Sequence, residues 1–306
     1  MRTAIIDLGT NTCNLLIAES SDGEYNILHQ SKHLVRLGDD KIREGEISSG
    51  ATQRTINAFQ HHKQIIDRFQ PGIIRVVATS AVRTAANKIE FLETLSESSG
   101  WLVKVITGEK EAELIFKGVM LAFQELKQPS LILDIGGGSN ELILAKGTEI
   151  TWKESQPTGM ARIINQFQLS DPIEPGEVEM LQKHFGKFHK AAIEKCITAN
   201  VQTLVGCSGA FDTIADIIDD VNPGEKTRKT QEITIDSFYK VYHILLKSTR
   251  EERLAMKGMD FVRVDLIVPA VILIEQLISQ TGITQIIQTD FALREGVFYD
   301  LMKQGH

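Results

Sequence analysis

Two short stretches decide the fold of this chain: Asp7-Leu-Gly-Thr-Asn11 and Asp134-Ile-Gly-Gly-Gly-Ser-Asn140. In each, an aspartate follows a run of apolar residues and leads into glycine and small polar residues, a composition typical of a tight turn leaving a buried strand. Each is also followed by two further strand-like segments joined by a short turn, which predicts a three-stranded antiparallel meander. The matching order predicts two halves of βββαβα topology.

Around the first stretch, the sequence predicts strands and helices that alternate after the meander. The predicted strands are 3–6, 15–20, 25–31 (after a turn at 21–23), 73–79 and 103–106, and the predicted helices are 51–69, 87–96 and 108–124. Asn87 and Glu90 have the spacing of a capping box at the start of the second helix.

The second half repeats this order. Its predicted strands are 131–133, 142–145, 149–154, 203–205 and 284–288, and its predicted helices are 175–198, one from Ala210, 236–249, 264–280 and 293–303. We therefore expect two domains, 1–126 and 127–306, with the last helix packing back on the first domain.

Composition excludes several classes of protein. The 306 residues include 33 lysines and arginines against 40 aspartates and glutamates, a net charge of −7. Proteins that bind nucleic acid through its phosphates usually carry a basic surplus, so we expect no nucleic-acid partner. The three cysteines show no metal-binding or disulfide spacing, and the apolar runs are too short to span a bilayer. With neither signal nor transit peptide expected from the first residues, the prediction is a cytoplasmic protein without a membrane partner.

Both turns offer the groups that bind phosphate. Backbone N–H groups converge on an anion where no Cβ blocks its approach, which favours glycine. The predicted phosphate-binding residues are Gly9, Thr10, Asn11 and Thr12 in the first turn, and Gly136, Gly137, Gly138 and Ser139 in the second. The alternative is a pair of ordinary hairpin turns that use glycine for positive φ.

Carboxylates near the turns indicate a divalent cation. Asp134 and Glu141 flank the second turn, and Asp7 precedes the first. Hard oxygen ligands suit Mg²⁺, or Mn²⁺ in its place, and Mg²⁺ normally also binds substrate phosphate. For Glu141 the alternative is an exposed strand carboxylate.

Five motifs in this order resemble the exopolyphosphatase / guanosine-pentaphosphate phosphohydrolase family. They are Asp7-Leu-Gly-Thr-Asn-Thr, Thr79-Ser-Ala-Val-Arg-Thr-Ala-Ala-Asn87, Gly108-Glu-Lys-Glu-Ala112, Asp134-Ile-Gly-Gly-Gly-Ser-Asn-Glu141 and Arg294-Glu-Gly296. The resemblance, to a short two-domain form, implies an α/β fold of duplicated actin-like ATPase (ribonuclease H-like) domains. Each domain would hold a mixed sheet with helices, around a central cleft.

The resemblance also implies roles for individual residues. Glu111 matches the family's catalytic glutamate, which activates the attacking water, and Arg83 matches an arginine at the phosphate site. Asp134 and Glu141 match positions of metal binding and water positioning. Gly209 falls in a segment that resembles the family's glycine motif of the second domain. Apart from the resemblance, Glu111 could serve only the helix dipole and Arg83 only a surface ion pair.

Together with the residues, the resemblance implies a hydrolase that releases the terminal phosphate of inorganic polyphosphate, of pppGpp to give ppGpp, or of both, with Mg²⁺ as cofactor. A homodimer is a further expectation. Two alternatives stay open: an actin-like ATPase or small-molecule kinase, and a non-catalytic sensor that binds polyphosphate or (p)ppGpp.

The remaining polar clusters are interpreted as solvated. His61-His62, and His184 with His189, lack the i, i+4 spacing of a helical metal site. The basic run 226–229 is interpreted as an exposed loop, with guidance of a phosphate chain as a weaker hypothesis.

Overall fold

The computed structural model describes residues 1–21, 24–38, 45–207 and 209–304. The chain divides into two compact units, residues 1–118 with 293–306, and residues 119–292. This division differs from the predicted boundary between residues 126 and 127. The last helix belongs with the first unit, where it packs against the first two strands.

The first unit is a five-stranded mixed sheet with helices. Its strands are β1 (Arg2–Leu8), β2 (Thr12–Ser21), β3 (Glu24–Leu34), β4 (Ile73–Ala78) and β5 (Val103–Val105). Its helices are α1 (Ser49–Phe69), α2 (Ser80–Thr84), α3 (Lys88–Ser99), α4 (Gly108–Phe123), which runs past Gly118, and α12 (Leu293–Gln304). The strand order is β3-β2-β1-β4-β5, with β1, β4 and β5 parallel.

The second unit repeats this arrangement and adds an edge strand. Its strands are β6 (Leu126–Ile135), β7 (Asn140–Gly147), β8 (Glu149–Gln156), β9 (Thr203–Cys207), β10 (Gln231–Ile233) and β11 (Gln285–Thr289). Its helices are α5 (Met160–Gln166), α6 (Pro175–Phe188), α7 (Lys190–Thr198), α8 (Ala210–Asp219), α9 (Ile235–Lys247), α10 (Arg250–Ala255) and α11 (Ile267–Thr281). The order β8-β7-β6-β9-β11 matches the first sheet strand for strand, and β10 pairs antiparallel with β11. The predicted α/β class, with two domains that each hold a mixed sheet and helices, is confirmed, and the matching strand orders show the duplication.

Each sheet buries its own core. In the first unit, Ile6 and Leu8 of β1 pack with Phe59 of α1 in one apolar cluster. In the second, α11 is apolar on nearly all sides, as expected of a helix surrounded by protein, and packs against α5, α6, α7 and α9. The first strands of the two sheets, β1 and β6, are buried in these cores, and each ends at a predicted phosphate turn.

Three short helices and one short strand were not predicted from the sequence. Helices α2, α5 and α10 and strand β10 span too few residues to show a hydrophobic period. The predicted capping box at Asn87 is wrong, because the Asn87 amide exchanges two hydrogen bonds of 2.9 Å with the backbone of Ile47 instead. The turn predicted at 21–23 lies partly outside the described residues.

Candidate active site

The first turn directs its carbonyl groups into the protein. Gly9 N–H donates to Thr12 O at 2.9 Å and closes the turn. The carbonyls of Thr10 and Asn11 accept from the backbone N–H groups of residues 35–37, at 2.7 to 3.0 Å. With these carbonyls satisfied from behind, the turn is fixed in place. The Thr10 hydroxyl is buried and has no hydrogen-bond partner within the described ranges, as expected of a group that awaits a ligand.

Asp7 is a buried carboxylate in the same turn. It lies opposite Asn14 in the β1–β2 register, and its Oδ2 accepts from Asn14 Nδ2 at 3.3 Å. Its Oδ1 is buried without a hydrogen-bond partner among the described residues. Burial raises the pKa of Asp7 to about 6; Arg294 and Asn14 oppose this rise, and Glu295 adds to it. A buried carboxylate with an open oxygen fits a bound cation.

Sequence reasoning did not place the charges of Arg294 and Glu295 beside Asp7, where they influence its pKa. The two residues begin α12, where Glu295 is 1 % exposed and its Oε1 lies 3.5 Å from Arg294 Nη2. The next residue explains how the helix comes so close, since a Cβ on Gly296 would lie 1.7 Å from Leu114 O of α4. The signal was present in the motif Arg294-Glu-Gly296, but a sequence motif does not show which turn it adjoins.

The structure brings Glu111 and Arg83 together. Arg83 Nη1 donates to Glu111 Oε2 at 2.9 Å and to Ile106 O at 3.0 Å, and Glu111 is 7 % exposed. Arg83 lies in the last turn of the five-residue helix α2, and its N–H donates to Thr79 O. The guanidinium alone can therefore meet a phosphate.

The second turn has the same backbone pattern and a different support. Gly136 N–H donates to Ser139 O at 3.0 Å. The carbonyls of Gly136 and Gly137 each accept at 2.9 Å from a backbone N–H of the first turn of α5, and Gly138 O accepts from Arg162 Nε at 2.8 Å. Helix α5 thus satisfies the carbonyl side of the turn.

The amide side of the second turn is available for an anion. No acceptor within the described part of the chain takes the N–H groups of Gly137 and Gly138. Gly159 packs so closely behind the turn that a Cβ there would lie 2.4 Å from Gly138 N. Open N–H groups in a rigid turn match the requirement for phosphate binding.

Asp134 and Glu141 lie directly opposite each other across β6 and β7. Directly opposite residues project from the same face of a sheet. Glu141 is 2 % exposed, so it is not the exposed strand carboxylate of the alternative interpretation. Its Oε1 accepts hydrogen bonds from Ser139 Oγ at 2.8 Å and Ser155 Oγ at 2.6 Å, which stabilise the charged carboxylate.

These carboxylates fit a magnesium ion better than a metal held by protein alone. Within the described residues, no group of three or more histidines, cysteines or carboxylates is arranged to hold a metal ion. Mg²⁺ keeps several waters and uses one or two carboxylates together with substrate phosphates, so a set of three protein ligands is not required.

Gly209 stands at the start of α8 with a φ of 49°, in the left-handed region that favours glycine. A Cβ there would meet the Arg263 guanidinium at 2.6 Å. Glycine is therefore required by its backbone and by a neighbouring cation; phosphate binding by Gly209 stays a prediction.

The prediction that three polar clusters are solvated is wrong in part. His62 and His189 are fully buried, because each is enclosed by core residues of its unit and hydrogen-bonded there. Arg228 is 6 % exposed and pairs with Asp216 and Asp219 at 2.7 and 2.9 Å, so this arginine cannot guide a phosphate chain. None of the helices in the described ranges combines the length and apolar character needed to cross a bilayer.

Comparisons with known proteins show the family of the chain. The model of the Ppx/GppA phosphatase family matches residues 16–305. The chain is 27% identical to exopolyphosphatase 2 of Mycobacterium tuberculosis, over 98% of both chains. It resembles the crystal structure of an exopolyphosphatase from Cytophaga hutchinsonii, with a TM-score of 0.94, 32% identity and coverage of 99% and 98%. A Ppx/GppA family member from Aquifex aeolicus gives a TM-score of 0.84 at 27% identity, over 100% of this chain and 99% of that one.

The chain therefore belongs to the Ppx/GppA phosphatase family. This membership supports a hydrolase of phosphoanhydrides.

Proposed function

We propose that this protein is an exopolyphosphatase, which hydrolyses the terminal phosphoanhydride of inorganic polyphosphate and releases phosphate. The observation that carries the proposal is the pair formed by Arg83 and Glu111, a buried carboxylate held at 2.9 Å from a guanidinium. Relatives named as exopolyphosphatases, similar over nearly the whole chain, support the substrate class. Conversion of pppGpp to ppGpp is the second reaction that we propose, because it breaks the same kind of bond.

In the proposed mechanism, the Glu111 carboxylate orients a water molecule and accepts its proton. The water oxygen forms a bond to the terminal phosphorus, and the bond from that phosphorus to the bridging oxygen breaks. The bridging oxygen leaves with the electron pair on the shortened chain. The Arg83 guanidinium holds Glu111 in position and offers its remaining N–H groups to phosphate oxygens.

The turns would bind the phosphates through backbone N–H groups and hydroxyls. In the second unit these are the N–H groups of Gly137 and Gly138; in the first unit they include the Thr10 hydroxyl. Asp134 and Glu141 are the carboxylates that would hold Mg²⁺ or Mn²⁺, and Asp7 is a further one in the first unit. When bound, the cation neutralises charge on the phosphate oxygens.

The test is phosphate release from long-chain polyphosphate, pppGpp and ATP, each with Mg²⁺ and with EDTA. We expect Glu111→Gln to lower the release rate by roughly 10²- to 10⁴-fold, the usual contribution of a positioned base. Glu109→Gln is the matched control, because Glu109 lies on the same first turn of α4 but is exposed. Wild-type rates in Glu111→Gln would refute its role.

The substrates separate the rival functions. Turnover of ATP with inert polyphosphate would favour an ATPase or kinase, and tight binding without release would favour a sensor. A cytoplasmic location and a homodimer are the remaining parts of the proposal; light scattering of the purified chain tests the second.

A further inference from the structure

We infer that His189 is a positioning residue for the second phosphate turn, acting through Thr158 and Asn140. The inference deepens the proposed function, on which it rests for the role of the turn. His189 lies between α6 and α7 and is fully buried. Its Nε2 is 3.1 Å from the Thr158 hydroxyl. Asn140 Nδ2 donates to Thr158 O at 2.8 Å and to its hydroxyl at 3.1 Å.

The hydrogen-bond pattern fixes the orientation of the Asn140 amide and is compatible with one arrangement of protons at Thr158 and His189. The Thr158 carbonyl can only accept, so the amide nitrogen of Asn140 must face it. The Thr158 hydroxyl accepts from Asn140 and is left with one proton, which it can donate to His189 Nε2. In that arrangement His189 carries its proton on Nδ1. That Nδ1 faces Glu154 Oε1 at 3.9 Å, too far for a hydrogen bond.

Both ends of this chain of groups reach the second turn. Asn140 follows Ser139 directly and begins β7, and Thr158 directly precedes Gly159. Gly159 abuts the backbone of Gly137 and Gly138, and the residues after it donate to the turn carbonyls. Thr158 therefore links the two segments that hold the turn, and His189 holds Thr158.

The side chains of Glu154, His189 and Thr158 lie in a row, an arrangement that also suggests a threonine nucleophile with its base. That interpretation does not fit, because Thr158 is 1 % exposed and its hydroxyl is already bound on both sides. Asn140 is likewise 0 % exposed. His189 Nδ1 and Asn140 Oδ1 are buried without a hydrogen-bond partner among the described residues, a cost that the use of this chain in fixing one geometry of the turn would explain.

The test compares His189→Phe, which keeps an aromatic ring beside Phe185 but loses the acceptor, with His189→Gln, whose amide oxygen can replace Nε2. His184→Phe is the control: His184 lies on α6, the helix that ends just before His189, among Phe167 and Phe188 and outside the chain of hydrogen bonds. We expect His189→Phe to raise KM for polyphosphate by about tenfold or more with kcat changed only a few-fold, as for other residues that orient a binding group. His189→Gln should recover most of that loss.

A second measurement does not depend on activity. Hydrogen exchange of the peptide that contains Met160, Ala161 and Arg162, whose N–H groups donate to the turn, should be faster in His189→Phe and restored in His189→Gln. If no substrate is hydrolysed, the proposed function fails while this readout still tests the positioning. Unchanged exchange and KM in His189→Phe, or equal damage in the Phe and Gln variants, would overturn the inference.

Discussion

The first turn (residues 9–12) and the second turn (residues 136–139) share one backbone hydrogen-bond pattern, but their flanking side chains differ. In both, the N–H of the first residue, a glycine, donates a hydrogen bond to the carbonyl oxygen of the fourth residue, at 2.9 Å in the first turn and 3.0 Å in the second. Opposite the aspartate, however, the first turn has Asn14 where the second has Glu141. Support differs too, since the loop residues 35–37 after β3 hold the first turn and the N-terminus of α5 holds the second.

This difference shows what the duplicated fold preserves. The shared backbone pattern suits the proposed phosphate binding, which needs the carbonyls satisfied and the amides open. The side chains are free to diverge, and only the second turn pairs two carboxylates across adjacent strands. We therefore expect chemistry that depends on a cation to be more sensitive to changes in the second turn.

The largest expected effect is on Glu141. Glu141→Gln removes the charge but keeps an oxygen that can accept from Ser139 and Ser155, so folding should be preserved. We expect phosphate release to fall by at least about 100-fold, whereas Asn14→Ala at the matching position should lower it by no more than about tenfold. Steady-state rates at saturating Mg²⁺ measure both. Equal losses at the two positions would contradict the division of roles.

Next in size is the effect of a methyl group at the first glycine of each turn. A Cβ at Gly136 would lie 2.6 Å from Ser139 O, whereas one at Gly9 would lie 3.2 Å from Thr12 O. Gly136→Ala should lower the free energy of unfolding by about 2 to 3 kcal/mol and Gly9→Ala by less than about 1 kcal/mol, as expected for steric overlap of these degrees. Urea unfolding measures both, and Gly176→Ala, where the methyl group meets nothing within 4 Å, is the control. A larger cost at Gly9 would reverse the comparison.

The smallest expected effect is on the pH dependence of stability, through a buried histidine behind the first turn. His62 Nε2 lies 3.2 Å from Cys13 O, beside Asn14, and burial lowers the pKa of His62 from 6.5 to about 4, with smaller contributions from the nearby His33, His29 and His61. Because the folded pKa is the lower one, the unfolded chain binds more protons between pH 6.5 and 4, and stability falls as the pH is lowered through that window.

From pH 7 to pH 5, this histidine should cost the wild type about 2 kcal/mol of unfolding free energy, and His62→Gln should lose less by about that amount. Urea unfolding at the two pH values measures the change. Equal pH dependence in both proteins would show that His62 does not titrate as its burial requires.

A further parallel between the two regions is that each turn has a buried histidine behind it. His62 contacts Cys13, and His189 reaches Asn140 through Thr158; Cys13 and Asn140 occupy the same position one residue after their turns. Neither could be predicted from the sequence, because a histidine in a helical pattern gives no sign of whether it faces the core or solvent. Their pairing depends on strands and helices far apart in the chain.

The sequence by itself determined the repeated order of strands and helices, the two Asp-x-Gly turns and the family resemblance, because hydrophobic period and glycine placement are local properties. It also indicated Glu111 and Arg83, through motifs that fix residue types at set positions. Only the tertiary structure decided that these two form an ion pair, since they come from α2 and α4. The start of α12 beside Asp7 and the burial of His189 were decided in the same way. Distance and burial arise from long-range packing, which no local pattern encodes.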